Sequence, residues 1–319
     1  MLEKILVTGA NGQLGTALVE ALIQKYGSEN VFATDIRIPE NNPNQVTFLD
    51  VLDEKHVEEF VFEKSINVIY HLAAILSAKG EQQPLQTWDI NMKSLLNILE
   101  ISRKLKVNKV FYPSSIAVFG DSAPKNPCPQ NAQTEPSTVY GISKVAGENW
   151  SNYYFNKYGL DVRSLRYPGI ISYQTLPGGG TTDYAVEIFH SAIKNGTYSC
   201  FLESDATLPM IYIDDAIKAT LELMEAPIEA IQIRTSYNLS GVSFSPKEIF
   251  ESIRLHYPQF KIEYKPDFRQ EIANSWPQVI DDQQARTHWG WKPNYDLTAM
   301  TKIMIENLEI LLSKQKSII

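Results

Sequence analysis

One short segment constrains this chain more than any other. Residues 4–8 read Lys-Ile-Leu-Val-Thr, an apolar and β-branched run, and residues 14–26 carry apolar positions at helical spacing. Between them stands Gly9-Ala10-Asn11-Gly12-Gln13-Leu14-Gly15. The glycines of such a G-x-x-G-x-x-G turn allow a tight bend and close backbone approach. The helix start that follows offers N–H groups and the positive end of its dipole to a pyrophosphate. Glycines this dense are, by themselves, ordinary turn chemistry. The strand before and the helix after make an anion site the expected reading.

The two periodicities keep alternating. Apolar runs at 30–35, 45–49, 67–71 and 109–113 are separated by helical stretches at 53–63 and 88–105. Runs such as Val68-Ile69-Tyr70 and Val110-Phe111-Tyr112 are apolar on both faces, as strands covered by helices on both sides must be. The order predicts an α/β protein with a doubly wound parallel sheet. Residues 120–136 hold Pro124, Pro127, Pro129 and Pro136 and are read as loop. A long helix is expected at 137–158 and a strand at 161–167, followed by a break at Pro168-Gly169. Beyond 170 the alternation weakens, with helices near 184–194, 214–224, 245–255 and 297–312 and short strands at 210–213 and 236–239. Residues 1–170 are therefore expected to form a dinucleotide-binding domain that also carries the catalytic residues. Residues 171–319 are read mainly as a smaller α/β substrate region on the sheet's edge, with interleaving of the two left open.

Composition narrows the class of partner. The chain has 319 residues and a net charge of −8, with no basic patch, so nucleic acid and anionic membrane surfaces are poor partners. No apolar run approaches the roughly 18 residues of a membrane span. The start of the chain lacks the pattern of a signal peptide. Two cysteines, Cys128 and Cys200, are too few for a disulfide framework and fit a reducing compartment. These features lead us to expect a soluble, cytoplasmic protein. The five histidines are scattered without metal-ligand spacing, so no metal site is expected.

Two constellations carry chemistry. Asp35 ends the second strand, 20 residues past Gly15, where a carboxylate accepts from the ribose hydroxyls of an adenosine and repels a 2′-phosphate. It points to NAD rather than NADP, with Arg37 close enough to soften the repulsion. Tyr140 and Lys144 are four apart on the long helix and share a face. An ammonium beside a phenol lowers its pKa and turns a poor base into a usable one. Ser114 and Ser115 end the strand at 109–113, at the carboxyl edge where such sheets bind ligands. A Tyr-x-x-x-Lys pair alone is a common surface pattern. The ordered set of the glycine turn, Asp35, His71-Leu72-Ala73-Ala74, Asn91, Ser115, Tyr140 and Lys144 is not.

These residues resemble the short-chain dehydrogenase/reductase superfamily, and the chain length points to its extended group, which includes sugar-nucleotide epimerases and dehydratases. The resemblance covers essentially the whole chain and implies a Rossmann-type fold with NAD as cofactor. It implies Ser115, Tyr140 and Lys144 as the catalytic triad, with Lys144 also holding the nicotinamide ribose. Val118-Phe119-Gly120 aligns with the group's V-Y-G and selects Ser115 as the triad serine, leaving Ser114 beside the cofactor. Further implied cofactor contacts are Gly9, Asn11, Gly12, Gln13, Leu14 and Gly15 in the turn, and Asp50 and Val51 at the adenine. Leu72, Ala73, Ala74 and Asn91 fall along the cofactor's middle, and Tyr167, Gly169 and Ile170 near the nicotinamide. Members commonly dimerise through the helices at 88–105 and 137–158, so a homodimer is expected.

Within the group, dehydratases carry Thr-Asp-Glu where this chain has Ser115-Ile116-Ala117, so elimination of water is not expected. Epimerases usually carry asparagine where this chain has Gly169. The segments 165–171 and 176–185, together with Ser275-Trp276-Pro277, Asp281-Asp282 and Trp289-Gly290-Trp291, resemble the short-chain L-threonine 3-dehydrogenase branch. A glycine loop can present N–H groups to a carboxylate, and Asp183 can pair with an ammonium, which together suit a small zwitterion. The resemblance implies substrate contacts at Ser77, Ser115, Tyr140, Gly179, Gly180, Thr181 and Asp183. It implies NAD-dependent oxidation of L-threonine at C3 to 2-amino-3-oxobutanoate. A nucleotide-sugar 4-epimerase is the second reading. A dinucleotide sensor without turnover is a third, and the intact triad counts against it.

Overall fold

The computed structural model describes residues 3–38, 40–175, 178 and 180–316. In chain order the first half runs β1 (Ile5–Thr8), α1 (Gln13–Tyr26), β2 (Val31–Asp35), β3 (Thr47–Phe48), α2 (Glu54–Glu63), β4 (Val68–His71), α3 (Ser77–Gly80), α4 (Pro84–Lys104), β5 (Lys109–Ser115), α5 (Val139–Tyr158) and β6 (Asp161–Tyr167). The second half runs β7 (Gly169–Ile171), α6 (Tyr184–Lys194), β8 (Thr197–Cys200), β9 (Leu208–Tyr212), α7 (Ile213–Glu225), β10 (Tyr237–Asn238), β11 (Val242–Phe244), α8 (Pro246–Arg254), β12 (Lys261–Tyr264), α9 (Arg269–Ser275), α10 (Gln283–Trp289) and α11 (Leu297–Lys316).

The main sheet has seven strands in the order β10-β6-β5-β4-β1-β2-β3. Every pairing within it is parallel. The order reverses direction beside β1, which opens a crevice at the carboxyl ends of β1 and β4. Alternate residues of one strand feed different layers. Ile5 and Val7 join the core that includes Leu18 and Leu22 of α1, while Leu6 joins the core with Val57 of α2 and Leu95 and Ile98 of α4. Tyr154 of α5 completes that second layer. Smaller sheets, β11-β9-β7 and β12-β8, build the second half.

The alternating first half follows the sequence pattern closely. Helix α4 departs from it by starting at Pro84, four residues ahead of Trp88, because proline is at home in a first helical turn. The second half returns to the main sheet. Tyr237 and Asn238 pair with Leu165 and Arg166, so β10 forms the sheet's last strand. Short elements without a period of their own, α3, α9, α10, β7, β8, β11 and β12, were not visible in the sequence. Each is about two turns or fewer of helix or a few residues of strand, held by tertiary packing more than by local pattern.

Two glycines decide how α5 reaches the sheet. A Cβ on Gly141 would run into the carbonyl oxygen of Ala117, and one on Gly147 would run into the Tyr112 ring. The helix therefore packs almost backbone to backbone on the end of β5, which brings Tyr140 beside the serines.

Candidate active site

A single cleft follows the carboxyl ends of β1, β4, β5 and β6. Gly9, Gly12, Gln13, Leu14 and Gly15 form its floor at one end. Gly9 holds φ +70°, and a Cβ there would lie 2.7 Å from the backbone nitrogen of Ala73. Gly15 packs equally close, with a Cβ falling 2.9 Å from Cα of Ala10. Gly12 is different. Its Cβ would meet only the Gly9 carbonyl, at 3.3 Å, and would otherwise fill the cleft. Gly12 also starts α1 without a capping side chain. A bare helix start facing an open cradle fits a dinucleotide pyrophosphate.

Asp35, at the end of β2, accepts from the Asn11 N–H at 3.1 Å and the Arg37 N–H at 3.1 Å. Its carboxylate is thereby fixed at the edge of the turn. The Asn11 side chain donates to the Arg37 carbonyl at 2.5 Å. Leu49 donates to the Asp35 carbonyl at 3.1 Å, which places Asp50 and Val51 directly beyond this strand end. Asp50 accepts from the Leu52 N–H at 2.9 Å, and the Val51 carbonyl accepts from Asn97 at 3.0 Å. Leu72 and Ala74 line the cleft, and Ala73 faces Gly9.

Asn91 lies behind this wall. Its amide oxygen accepts from Ile75 N–H at 2.8 Å, its NH2 donates to the Ile75 carbonyl at 3.1 Å, and the same NH2 reaches Ser143 at 3.3 Å. It clamps the turn after β4 to α5. His71 is buried between Thr8, at 2.9 Å, and Ser94, at 3.3 Å. Burial, aided by the Lys144 charge, lowers it to about 3, so it is neutral and structural.

At the other end Ser77, Ser114, Ser115, Tyr140, Lys144, Tyr167, Gly169 and Ile170 line the cleft with Gly180, Thr181 and Asp183. Gly179 lies outside the described residues. Ser115 accepts from the Ala117 N–H at 3.2 Å, and its hydroxyl acts on the Tyr140 phenol in the sense that favours ionisation. Ser114 turns away and donates to Glu148 at 2.6 Å. Lys144, 3% exposed, donates to the Pro113 carbonyl at 2.6 Å. Its ammonium lies 4.6 Å from the centroid of the Tyr112 ring and 5.3 Å from that of Tyr140.

This geometry corrects one expectation. The protein's own charges do not lower Tyr140. Burial pushes its phenol up to about 12, with the Ser115 hydrogen bond pulling the other way. Burial also brings Lys144 down to about 7, partly offset by the Glu148 carboxylate. The ammonium is held over the ring, 5.3 Å from its centroid, and is drawn toward the Pro113 carbonyl, so its effect on the phenol oxygen is smaller than helical spacing suggested.

The cleft is pinched beyond Tyr140. A Cβ on Gly169 would lie 2.7 Å from Cβ of Thr182 and would also strike the Met210 sulfur. The bare glycine lets the loop at 180–183 close against the sheet end. Asp183 accepts from the Gly180 N–H at 2.7 Å, which shapes that loop. Gln13 donates to the Ile170 carbonyl at 3.2 Å and joins the two ends of the cleft.

Three participants escaped sequence reasoning as site residues. Trp276, 5% exposed, forms part of the cleft wall. Its segment is docked by Lys125, which donates to the carbonyls of Asn274 and Ser275 at 3.1 and 2.7 Å. Glu148 and Arg166 form a buried pair behind the serines. Only Glu148 carried a local signal, its position one helical turn past Lys144. Among the described residues no cluster of His, Cys, Asp or Glu is arranged to hold a metal ion. No described helix is long and apolar enough to cross a membrane.

A glycine cradle at a helix start and a Ser–Tyr–Lys group at the far end of one crevice define a dinucleotide-binding α/β enzyme. The chain belongs to the NAD-dependent epimerase/dehydratase family, whose profile matches residues 5–240. It is 47% identical over 315 residues to an uncharacterised epimerase/dehydratase of Staphylococcus aureus strain MRSA252, covering 97% of both chains. Two solved structures are similar along almost their whole length. One is a GalE-like L-threonine dehydrogenase from Cupriavidus necator in its holo form, 49% identical with a TM-score of 0.94, covering 96% of this chain and 99% of that one. The other is a monomeric L-threonine 3-dehydrogenase from a metagenome, 48% identical with a TM-score of 0.94 and the same coverage.

Proposed function

We propose that this protein oxidises the C3 hydroxyl of L-threonine to 2-amino-3-oxobutanoate with NAD. The observation that carries the reading is the charge of the cleft. Among the described residues lining it, the charged side chains are Lys144 and Asp183. With Lys144 buried on the Pro113 carbonyl, Asp183 is the charge left to meet a ligand, which suits the ammonium of a small zwitterion. A sugar nucleotide would bring a doubly charged diphosphate, which calls for arginines or several helix starts. The similarity to solved threonine dehydrogenases supports the same reading.

Residues 1–170 would hold the cofactor through Gly9, Gly12, Gly15 and Asp35, and residues 171–319 would supply most of the substrate pocket. When bound, NAD would supply the hydride acceptor. Tyr140 takes the proton of the C3 hydroxyl, Ser115 orients that oxygen, and Lys144 holds the end of β5 beside them through its bond to the Pro113 carbonyl. Asp183 faces the substrate ammonium, and Thr181 faces its carboxylate. Two buried free thiols, Cys128 and Cys200, support a cytoplasmic location.

A homodimer through α4 and α5 is part of the proposal, because Leu85, Trp88, Trp150 and Tyr153 are exposed on these helices. Sedimentation of the purified protein tests it, and a monomer at micromolar concentration would remove it. The catalytic reading is tested by incubating the protein with NAD and either L-threonine or UDP-galactose. NADH formation with threonine alone is expected. Epimerisation of the sugar nucleotide without threonine oxidation would establish the second reading instead.

A further inference from the structure

We infer that the buried Glu148–Arg166 pair is a positioning device for the catalytic group, holding Lys144 and the serine-bearing end of β5 in one register. The inference rests on the reading that Tyr140 and Lys144 carry the proton chemistry.

Lys144 and Glu148 are one turn apart on the same face of α5. They grip consecutive residues of β5. Lys144 donates to the carbonyl of Pro113 at 2.6 Å, and Glu148 accepts from the hydroxyl of Ser114 at 2.6 Å. Ser115 is the next residue, so the hydroxyl that meets Tyr140 is placed by two adjacent stitches between helix and strand.

Glu148 is in turn held rigidly. Arg166 donates to it through Nε at 2.9 Å and Nη2 at 2.8 Å, a two-pronged pair with both residues at 5% exposure or less. The remaining guanidinium nitrogen, Nη1, donates to the Gln130 carbonyl at 3.0 Å and to the Asn238 amide oxygen at 3.1 Å. Such a pair is a weak source of stability, since an apolar pair of similar volume commonly does as well. Its placement against the catalytic helix assigns it a different task.

The charges around Lys144 agree with that task. On α5 it faces Tyr140 and Glu148, on β5 Tyr112, and on β4 His71, while Arg166 on β6 lies behind Glu148. Burial keeps the two tyrosines and His71 neutral at physiological pH. Glu148 is then the carboxylate that favours a charged Lys144. Removing its charge leaves Lys144 with burial alone, so the ammonium is lost at lower pH.

The experiment compares wild type with Glu148→Asp, Glu148→Gln and the double variant Glu148→Met/Arg166→Met. The double variant removes both charges together and guards against a simple failure to fold. Two readouts are taken on each protein. One is the titration of Lys144 by NMR of lysine labelled with carbon-13 at Cε, assigned by a Lys144→Met control and recorded without substrate. The other is the pH profile of kcat with L-threonine and NAD.

In Glu148→Gln and in the double variant the Lys144 midpoint is expected to fall by about one pH unit or more. The alkaline limb of kcat should move down with it. Glu148→Asp keeps the charge, and its midpoint should stay near wild type. A folded double variant with an unchanged Lys144 midpoint would overturn the inference. So would a loss of kcat that is the same at every pH. Because the titration needs no substrate, it can succeed even where threonine is not turned over, which separates this inference from the proposed function.

Discussion

The two ends of the cleft are built by different means. The end proposed for the cofactor is mostly backbone. Gly9, Gly12 and Gly15 work by lacking side chains, and Asp35 is fixed by two N–H groups within 24 residues of itself. The end proposed for the substrate is mostly side chain, gathered from β5, α5, the loop at 180–183 and the segment carrying Trp276. A backbone site tolerates few substitutions because geometry is its chemistry. A side-chain site is tunable, because each group comes on its own element.

Four substitutions break or sharpen this contrast. The largest effect is expected at the substrate end. Tyr140→Phe keeps the ring and removes the proton carrier, so kcat should fall by roughly 10²–10⁴ while NAD affinity changes little. Stopped-flow turnover and fluorescence titration of NAD measure both, and near-normal kcat would remove Tyr140 from its role. At the cofactor end, Gly9→Ala forces a Cβ into the left-handed region and against the Ala73 backbone. It should cost about 1–3 kcal/mol of stability and weaken NAD binding together. Calorimetry showing a fully stable variant with intact NAD affinity would contradict the backbone account.

Smaller effects separate reading from shaping. Asp183→Asn replaces a charge-assisted hydrogen bond with a neutral one, worth about 1 kcal/mol and about fivefold in KM for threonine. A 3-hydroxy acid lacking the amino group should be a poor substrate in both proteins and lose little more. Equal sensitivity would mean that Asp183 acts only through its bond to Gly180. The smallest shift is expected for Asp35→Ser. Contact of a 2′-phosphate with a carboxylate costs about 1 kcal/mol even when partly solvated. The variant should therefore narrow the NAD:NADP ratio of kcat/KM, and an unchanged ratio would take Asp35 out of cofactor choice.

The same contrast explains what could be read in the sequence. The cofactor turn, Asp35 and the Tyr140–Lys144 pair are local, and periodicity placed them on the correct elements. The wall at Trp276 is fixed by Lys125 across 150 residues, and the join between Gln13 and Ile170 spans 157. No window of sequence contains such contacts. The state of Tyr140 was misread for a related reason. Helical spacing brings an ammonium near the ring, but only the fold shows that Pro113 holds it.

The position of β10 bears on synthesis at the ribosome. Its two residues, Tyr237 and Asn238, form the outer strand beside β6, and Asn238 accepts from Arg166. Until residue 238 has emerged, the nascent chain presents β6 as an unpaired edge and leaves Arg166 short of an acceptor. Unpaired parallel edges invite association between chains, and such long-range pairing forms slowly. Closure of the main sheet is therefore tied to the emergence of residue 238. A product stopped before Tyr237 should aggregate rather than survive as an independent dinucleotide-binding half.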